Sequence, residues 1–186
     1  MDPDEIMLNT EEHMEKAADY MTHEFAAVRT GKASGALVEN IDVDAYGSVM
    51  KLKQLALITT PEARLIVIQP FDASTVQPIE KALRESKIGI TPNVDGKIIR
   101  LPIPALTEER RRDLVKTIKQ LSEETRVRIR NARRDGLEAL KKAQKAGSIS
   151  EDDLERYEKD VQKLTDDYVK KVDDALTAKE ADIMKV

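Results

Sequence analysis

Residues 107–146 read TEERRRDLVKTIKQLSEETRVRIRNARRDGLEALKKAQKA, and their spacing decides the fold. Apolar or small residues fall at Leu114, Ile118, Leu121, Thr125, Ile129, Ala132, Gly136, Leu140 and Ala143. The pattern repeats every 11 residues. That is close to the natural α period, so it predicts a nearly straight helix. Thr107 is of the N-cap type, and Glu108 and Glu109 suit the positive end of the helix dipole. Gly147 supplies the stop. About forty residues at ~1.5 Å each make the helix roughly 60 Å long. A helix of that length exposes too much apolar surface to stand alone.

Two other stretches offer partners. From about Glu5 to Thr30 the apolar or small positions are Met7, Thr10, Met14, Ala17, Met21, Phe25 and Val28. These form one face of an amphipathic helix, with Gly31 as its stop. A third helix starts with Ser150 as cap and Asp153 in the capping-box position. Its stripe is Leu154, Tyr157, Val161, Leu164, Tyr168, Val172, Leu176 and Ile183. Three long helices with matched stripes predict a bundle.

Residues 31–105 follow different rules, being rich in Gly, Pro and β-branched types. Ile41, Val43 and Ala45 alternate with Asp42, Asp44 and Tyr46, as in a half-buried strand. Leu55 to Thr60 and Arg64 to Gln69 read as a strand pair around Pro61. Asp72 or Ser74 caps a short helix carrying Val76, Ile79 and Leu83. Lys97 to Ile103 is a further strand, stopped by Pro102 and Pro104. The reading is α+β, with an α/β domain of residues 31–105 inserted into a bundle of residues 1–30 and 106–186. Two short links, at Gly31 and Lys32 and at Pro102, Pro104 and Ala105, make a hinge.

Composition narrows the chemistry. The chain has no cysteine, hence no disulfide framework or thiolate chemistry. No apolar run approaches the roughly 20 residues of a membrane span. Met1 to Asn9 carries three acids and no base, which predicts neither a secretory signal nor a transit peptide, and so a cytoplasmic protein. There is no phosphate loop, no G-x-S-x-G and no H-E-x-x-H. His13 and His23 are ten residues apart on one helix and share no metal. The expectation is no catalytic residue, no metal and no cofactor.

Net charge is −4, yet it is segregated. From Arg110 to Arg134 ten bases face three acids, so that window stands at +7 and the rest of the chain at −11. With Ile129 at 0° and ~100° per residue, Arg112, Lys116, Lys119, Arg126, Arg130, Arg133 and Arg134 fall between about 40° and 140°. They form a stripe beside the core face. Arg110 and Arg128 lie on the other side. Arginine outnumbers lysine 8 to 2 in the window, and its planar fork bonds phosphate bidentately. The window holds no aromatic residue, so stacking platforms for single-stranded bases are not expected there. A rigid basic rod suits phosphate contacts to structured RNA. A solvated face paired with the acidic third helix, or an adaptor whose helices dock a partner protein, are the alternatives.

Several motifs are specific in order and spacing. Arg130-Asn131-Ala132-Arg133-Arg134-Asp135 resembles the R-N-x-R-R-D signature of ribosome recycling factors. Leu106-Thr107-Glu108-Glu109-Arg110-Arg111 resembles their L-T-E-E-R-R helix start. Val28 to Ser34, Pro92-Asn93 with Asp95-Gly96, Ile99 to Leu101, Ser150 to Asp153 and Val161 to Asp166 continue the resemblance over essentially the whole chain. It departs at Ala105 and Gly35, where the family usually has proline, and at Ala45-Tyr46, where it usually has a tyrosine pair.

The resemblance implies an L-shaped, tRNA-like molecule, with a three-helix bundle and a three-layer β/α/β domain. It implies binding to the 70S ribosome and 50S subunit across the A and P sites through large-subunit rRNA; a monomer is expected because the three helical stripes close on each other, although edge strands of the small domain could pair. It implies elongation factor G as partner, with GTP used by that factor. Carried over by motif, Arg133 is the first rRNA contact. Arg130, Arg134, Arg110 and Arg29 come next, and Arg126, Arg112 and Lys119 of the basic stripe, read from the helical wheel, complete the set.

Overall fold

The structure, a computed structural model, describes residues 2–185. The chain divides into two compact units, Met1–Phe25 with Val115–Ala181, and Ala26–Leu114 with Asp182–Val186.

The first unit is a bundle of three helices, α1 (Pro3–Ala26), α4 (Glu108–Lys145) and α5 (Glu151–Met184). α1 starts and ends earlier than its periodicity predicts. Pro3 has no N–H to lose and occupies the first helical position, where its fixed φ fits. Asp2 accepts from the Asp4 N–H at 3.3 Å, and its carbonyl takes the Ile6 N–H. Val28, expected on the stripe, lies beyond the helix end. At α4 the Thr107 hydroxyl accepts from the Arg110 N–H at 3.1 Å, the cap expected there. Its far end closes with Ser148 N–H on the Ala143 carbonyl and Gly147 N–H on that of Gln144. Gly147 takes φ +79°, a conformation glycine reaches without steric cost. Ser150 then caps α5 by accepting from Asp153 N–H at 3.0 Å.

Ile118, Ile129 and Leu140 are fully buried along α4. Met14 and Met21 of α1 and Val161 and Val172 of α5 are buried to the same degree, and Leu140 and Val161 share one apolar cluster with Ile6 and Ala143. The core also takes in hydroxyls. Ser122, Thr125, Thr10 and Thr165 are buried, and each donates to a carbonyl three or four residues back, at 2.8 to 2.9 Å. That local bond removes the cost of an unpaired buried donor. Ser122 is a core position that the apolar pattern does not reveal.

The second unit contains two sheets. β1 (Asp42–Ala45) and β2 (Ser48–Lys51) form a two-stranded hairpin. β3 (Ala56–Glu62), β4 (Leu65–Pro70), β5 (Asn93–Asp95) and β6 (Ile98–Pro102) form an antiparallel sheet in the order β3-β4-β6-β5. A one-turn helix, α2 (Leu52–Leu55), joins the sheets. α3 (Val76–Glu85) packs against both β1 and β6, so the layers run sheet, helix, sheet. One core spans them, from Val43 through Ile79 and Leu83 to Ile66, Ile68, Ile99 and Leu101. The alternation of β1 is as read: Val43 and Ala45 are buried, Asp42 and Asp44 exposed. β2, α2 and β5 are additions to the sequence reading.

The β1–β2 turn carries strain. Tyr46 has φ +52° and Gly47 φ +76°, the pairing of a type I′ turn. Tyrosine is unfavoured there. Its hydroxyl donates to Asp72 Oδ2 at 2.7 Å. Asp72 Oδ1 also accepts from Ser74 N–H at 2.9 Å, capping the turn that leads into α3. The Ser74 backbone N–H, and then the Tyr46 hydroxyl, hold the Asp72 carboxyl below the usual carboxylate range.

The α1–α4 contact supports one prediction. A Cβ on Gly136 would lie 2.4 Å from Thr10 Oγ1 and 3.3 Å from Thr10 Cβ. Gly136→Ala gains ~1 kcal/mol in helix propensity, but this overpacking outweighs it, for a net loss of about 1–2 kcal/mol. Thermal melts should show the loss, and adding Thr10→Ala should recover most of it. The Asp72 carboxyl supports another. A pKa depressed on folding adds stability above the ordinary carboxylate range and loses it as pH falls through the depressed value. Asp72→Asn keeps the cap but not the charge. Below about pH 4 its melting temperature should fall less steeply with pH than that of the wild type.

Candidate nucleic-acid interface

α4 presents its bases along two seams of the bundle. The stripe runs on the side toward α5. There Arg126 is largely buried, its side chain 18% exposed. Its Nε and Nη2 donate to Asp173 Oδ1 at 2.9 and 2.6 Å, and Nη1 meets Glu123 at 3.2 Å. Burial alone would lower its pKa, but the Asp173 and Glu123 carboxylates outweigh that and raise it. Lys119 reaches Glu180 of α5 at 3.7 Å.

The other bases are less committed. Arg133 Nε donates to Gln162 Oε1 at 2.9 Å, a neutral partner, and Arg133 has no ion pair among the described residues. Arg130 lies 3.4 Å from Glu123 on its own helix. Arg134 is 3.5 Å from Asp135, and Arg112 is 2.9 Å from Glu108, all on the surface. Exposed pairs of this kind are worth little, and a phosphate can replace them. Pairing with the acidic third helix, the alternative reading of the stripe, therefore accounts for Arg126 and Lys119. Arg130 and Arg133 stand outside it.

Near the start of α4, within the second unit, Arg110 is exposed and Arg29 is half-buried. Arg29 Nη2 donates to the Pro104 carbonyl at 3.4 Å, while its buried Nε has no partner. Burial, and then the positive charge of Arg110, lower the Arg29 pKa. Arg111 holds the end of α5, donating to the Ile183 carbonyl at 2.7 Å and to that of Lys185. Gly31 has φ +82°, and a Cβ there would lie 3.8 Å from Leu106. Gly31, Lys32, Pro102, Pro104 and Ala105 all fall inside the second unit, because the first turn of α4 and the end of α5 pack there.

The aromatic-free reading of the basic window holds for the sequence but not for the surface. Tyr20 of α1 lies under the Arg128 guanidinium, 5.1 Å from ring centroid to charge. It sits 108 residues away along the chain, so no local pattern reveals the pair. His13 and His23 are exposed on the polar face of α1. Among the described residues no cluster of potential ligands could hold a metal ion. No described helix is long and apolar enough to cross a membrane.

Known proteins share this architecture. The sequence model described as "Ribosome recycling factor" matches residues 21–184. The Akkermansia muciniphila ribosome-recycling factor is 55% identical, with all of both chains covered. That of Halalkalibacterium halodurans is 50% identical over 98% of each chain. A solution structure of the ribosome recycling factor matches at TM-score 0.82 and 44% identity, covering 100% of this chain and 99% of that one. Another match, at TM-score 0.69 and 40% identity over all of both chains, is described as models for the T. thermophilus ribosome recycling factor and the E. coli elongation factor G bound to the E. coli post-termination complex.

Fold and surface together define a class: a two-unit α+β protein with its cations concentrated on one bundle helix. The chain belongs to the ribosome recycling factor family.

The stripe separates structural from available charge, and stability measurements should show it. Arg126→Met should cost about 1–2 kcal/mol, since a largely buried charged hydrogen-bond set is lost while Asp173 stays half-solvated. Arg133→Gln should stay within ~0.5 kcal/mol of wild type. Urea unfolding of the two variants checks the contrast.

Proposed function

We propose that this chain binds the post-termination ribosome across the A and P sites and, with elongation factor G and GTP, promotes dissociation into subunits and release of mRNA and tRNA. It acts as a cytoplasmic monomer and meets the 70S ribosome and the 50S subunit through large-subunit rRNA. Elongation factor G uses the GTP, so this chain needs no catalytic group and no cofactor of its own. Arg133 is the leading phosphate ligand, with Arg130, Arg134, Arg110 and Arg29 around it. Arg112 and Lys119 add charge at the rim. Arg126 serves chiefly to lock α4 to α5. The segments carrying Gly31, Lys32, Pro102, Pro104 and Ala105 act as the hinge.

The observation that carries the reading is the arginine ridge of Arg130, Arg133 and Arg134, whose guanidiniums keep N–H donors free of any buried carboxylate. The relative bound with elongation factor G to the post-termination complex supports the choice of partners.

Light scattering of vacant 70S ribosomes tests the proposal. Adding this protein, elongation factor G and GTP should give a fast drop that needs all three, and Arg133→Glu should weaken it. No drop with active factors overturns the recycling role. A drop that Arg133→Glu leaves intact moves the contact off the ridge. Ribosome affinity should also fall with salt. If the basic stripe neutralises about five phosphates, the log–log slope is roughly −3.5 to −4.5, and Arg133→Gln should make it shallower by about one phosphate's share.

A further inference from the structure

We propose that the α1–α4 seam is a second RNA site, separate from the arginine ridge, that takes one unpaired nucleotide of the rRNA; this rests on the RNA-directed reading of α4. The seam is an open groove of about 400 Å³, within the size range of small-ligand sites. Its floor is made by Ala17 and Ala132, both buried and both small. Small side chains let a flat group approach the helix backbones closely.

The groove walls are polar: Lys16 pairs with Glu12 at 2.6 Å and Asp135 with Arg134 at 3.5 Å, both exposed pairs that a ligand can replace. Tyr20 is 47% exposed, with Arg128 stacked over one ring face. Arg128 has no ion pair among the described residues, in contrast to Arg126 two positions earlier. An arginine stacked on an aromatic ring is a platform for a base. Every base has a π-face, and the guanidinium adds attraction for the phosphate beside it. One turn further along α4, the exposed Asn131 carries both a donor and an acceptor to read a base edge. Asp135 closes that end as an acceptor for an exocyclic amino group or a ribose 2′-hydroxyl. Lys16, on the opposite wall, supplies a second cation.

A peptide is less well served. The groove has no deep apolar pocket for a side-chain anchor, and its exposed backbone is helical and already hydrogen-bonded. A duplex is also excluded as the occupant, because stacking on Arg128 needs a base free of its neighbours.

The test uses the full chain and purified 50S subunits. Tyr20→Phe keeps the ring, Tyr20→Leu removes it, and Arg133→Glu alters the ridge alone. Thermal melts of all three establish that the bundle is folded. At saturating protein, chemical probing of the rRNA should show one unpaired base protected by wild type, Tyr20→Phe and Arg133→Glu but reactive with Tyr20→Leu. Affinity for the subunit should fall about 5- to 150-fold in Tyr20→Leu, the range for a lost base stack, and stay near wild type in Tyr20→Phe. Equal affinity and equal protection in Tyr20→Leu overturn the groove site. So does a fall in affinity with no change at any base, which assigns the seam to a ribosomal protein. If Arg133→Glu binds as wild type while Tyr20→Leu does not, the ridge reading fails and the groove stands.

Discussion

The removal of Ile118, Ile129 and Leu140 from water governs the rest of the structure. These three residues sit eleven apart on α4, and each contributes about 1.5–3 kcal/mol by burial. Because the spacing matches a straight helix, one face of α4 stays turned inward along its length. Fixing that rotation fixes the direction of every other α4 side chain. The stripe beside the core is carried to the α5 side, and Arg128 to the α1 side. Function at the surface is therefore set by apolar contacts inside.

Electrostatics then sorts the cations that packing has placed. Arg126 is close enough to the core to lose most of its water, and it stays charged because Asp173 and Glu123 answer it. Arg133, on the same side of the helix, meets only an amide. The α5 side chain opposite, a carboxylate or an amide, separates a residue that binds the bundle together from one available to bind something else. Tyr168 shows the opposite polarity. Burial, and then the charges of Glu11, Glu15 and Asp19, raise its pKa, so these three α1 acids face α5 there, beside the Lys171 ammonium 4.6 Å from the ring centroid. A net charge of −4 hides both sides.

Features set by neighbours in sequence were legible, and those set by pairing were not. The α4 stripe, the Thr107 and Ser150 caps and the β1 alternation are local, and each holds. The first helix starts and stops earlier than its period predicts: Asp2 and Pro3 open it, and it stops at Ala26 before Val28. β5 is three residues long and exists only through its partner β6. β2 and α2 likewise lack a period of their own. Tyr46 departs from the family pattern in the sequence, but its positive φ and its bond to Asp72 depend on a partner 26 residues along the chain. The basic ridge was readable residue by residue, yet its division into committed and available charge depends on which α5 residue lies opposite. The Tyr20–Arg128 pair was invisible for the same reason.

The connection from α4 to α5 also works as a phase setter. Only residues 146–150 separate the two helices, and Gly147 and Ser150 close them without slack. That brevity puts Asp173 across from Arg126, Gln162 across from Arg133 and Glu180 across from Lys119. One residue more in the turn would rotate α5 by about 100° if its helix were extended by that step. A carboxylate would then face a different arginine, or none. The length of a five-residue turn thus decides which charges cancel inside the protein and which are left over for its surroundings.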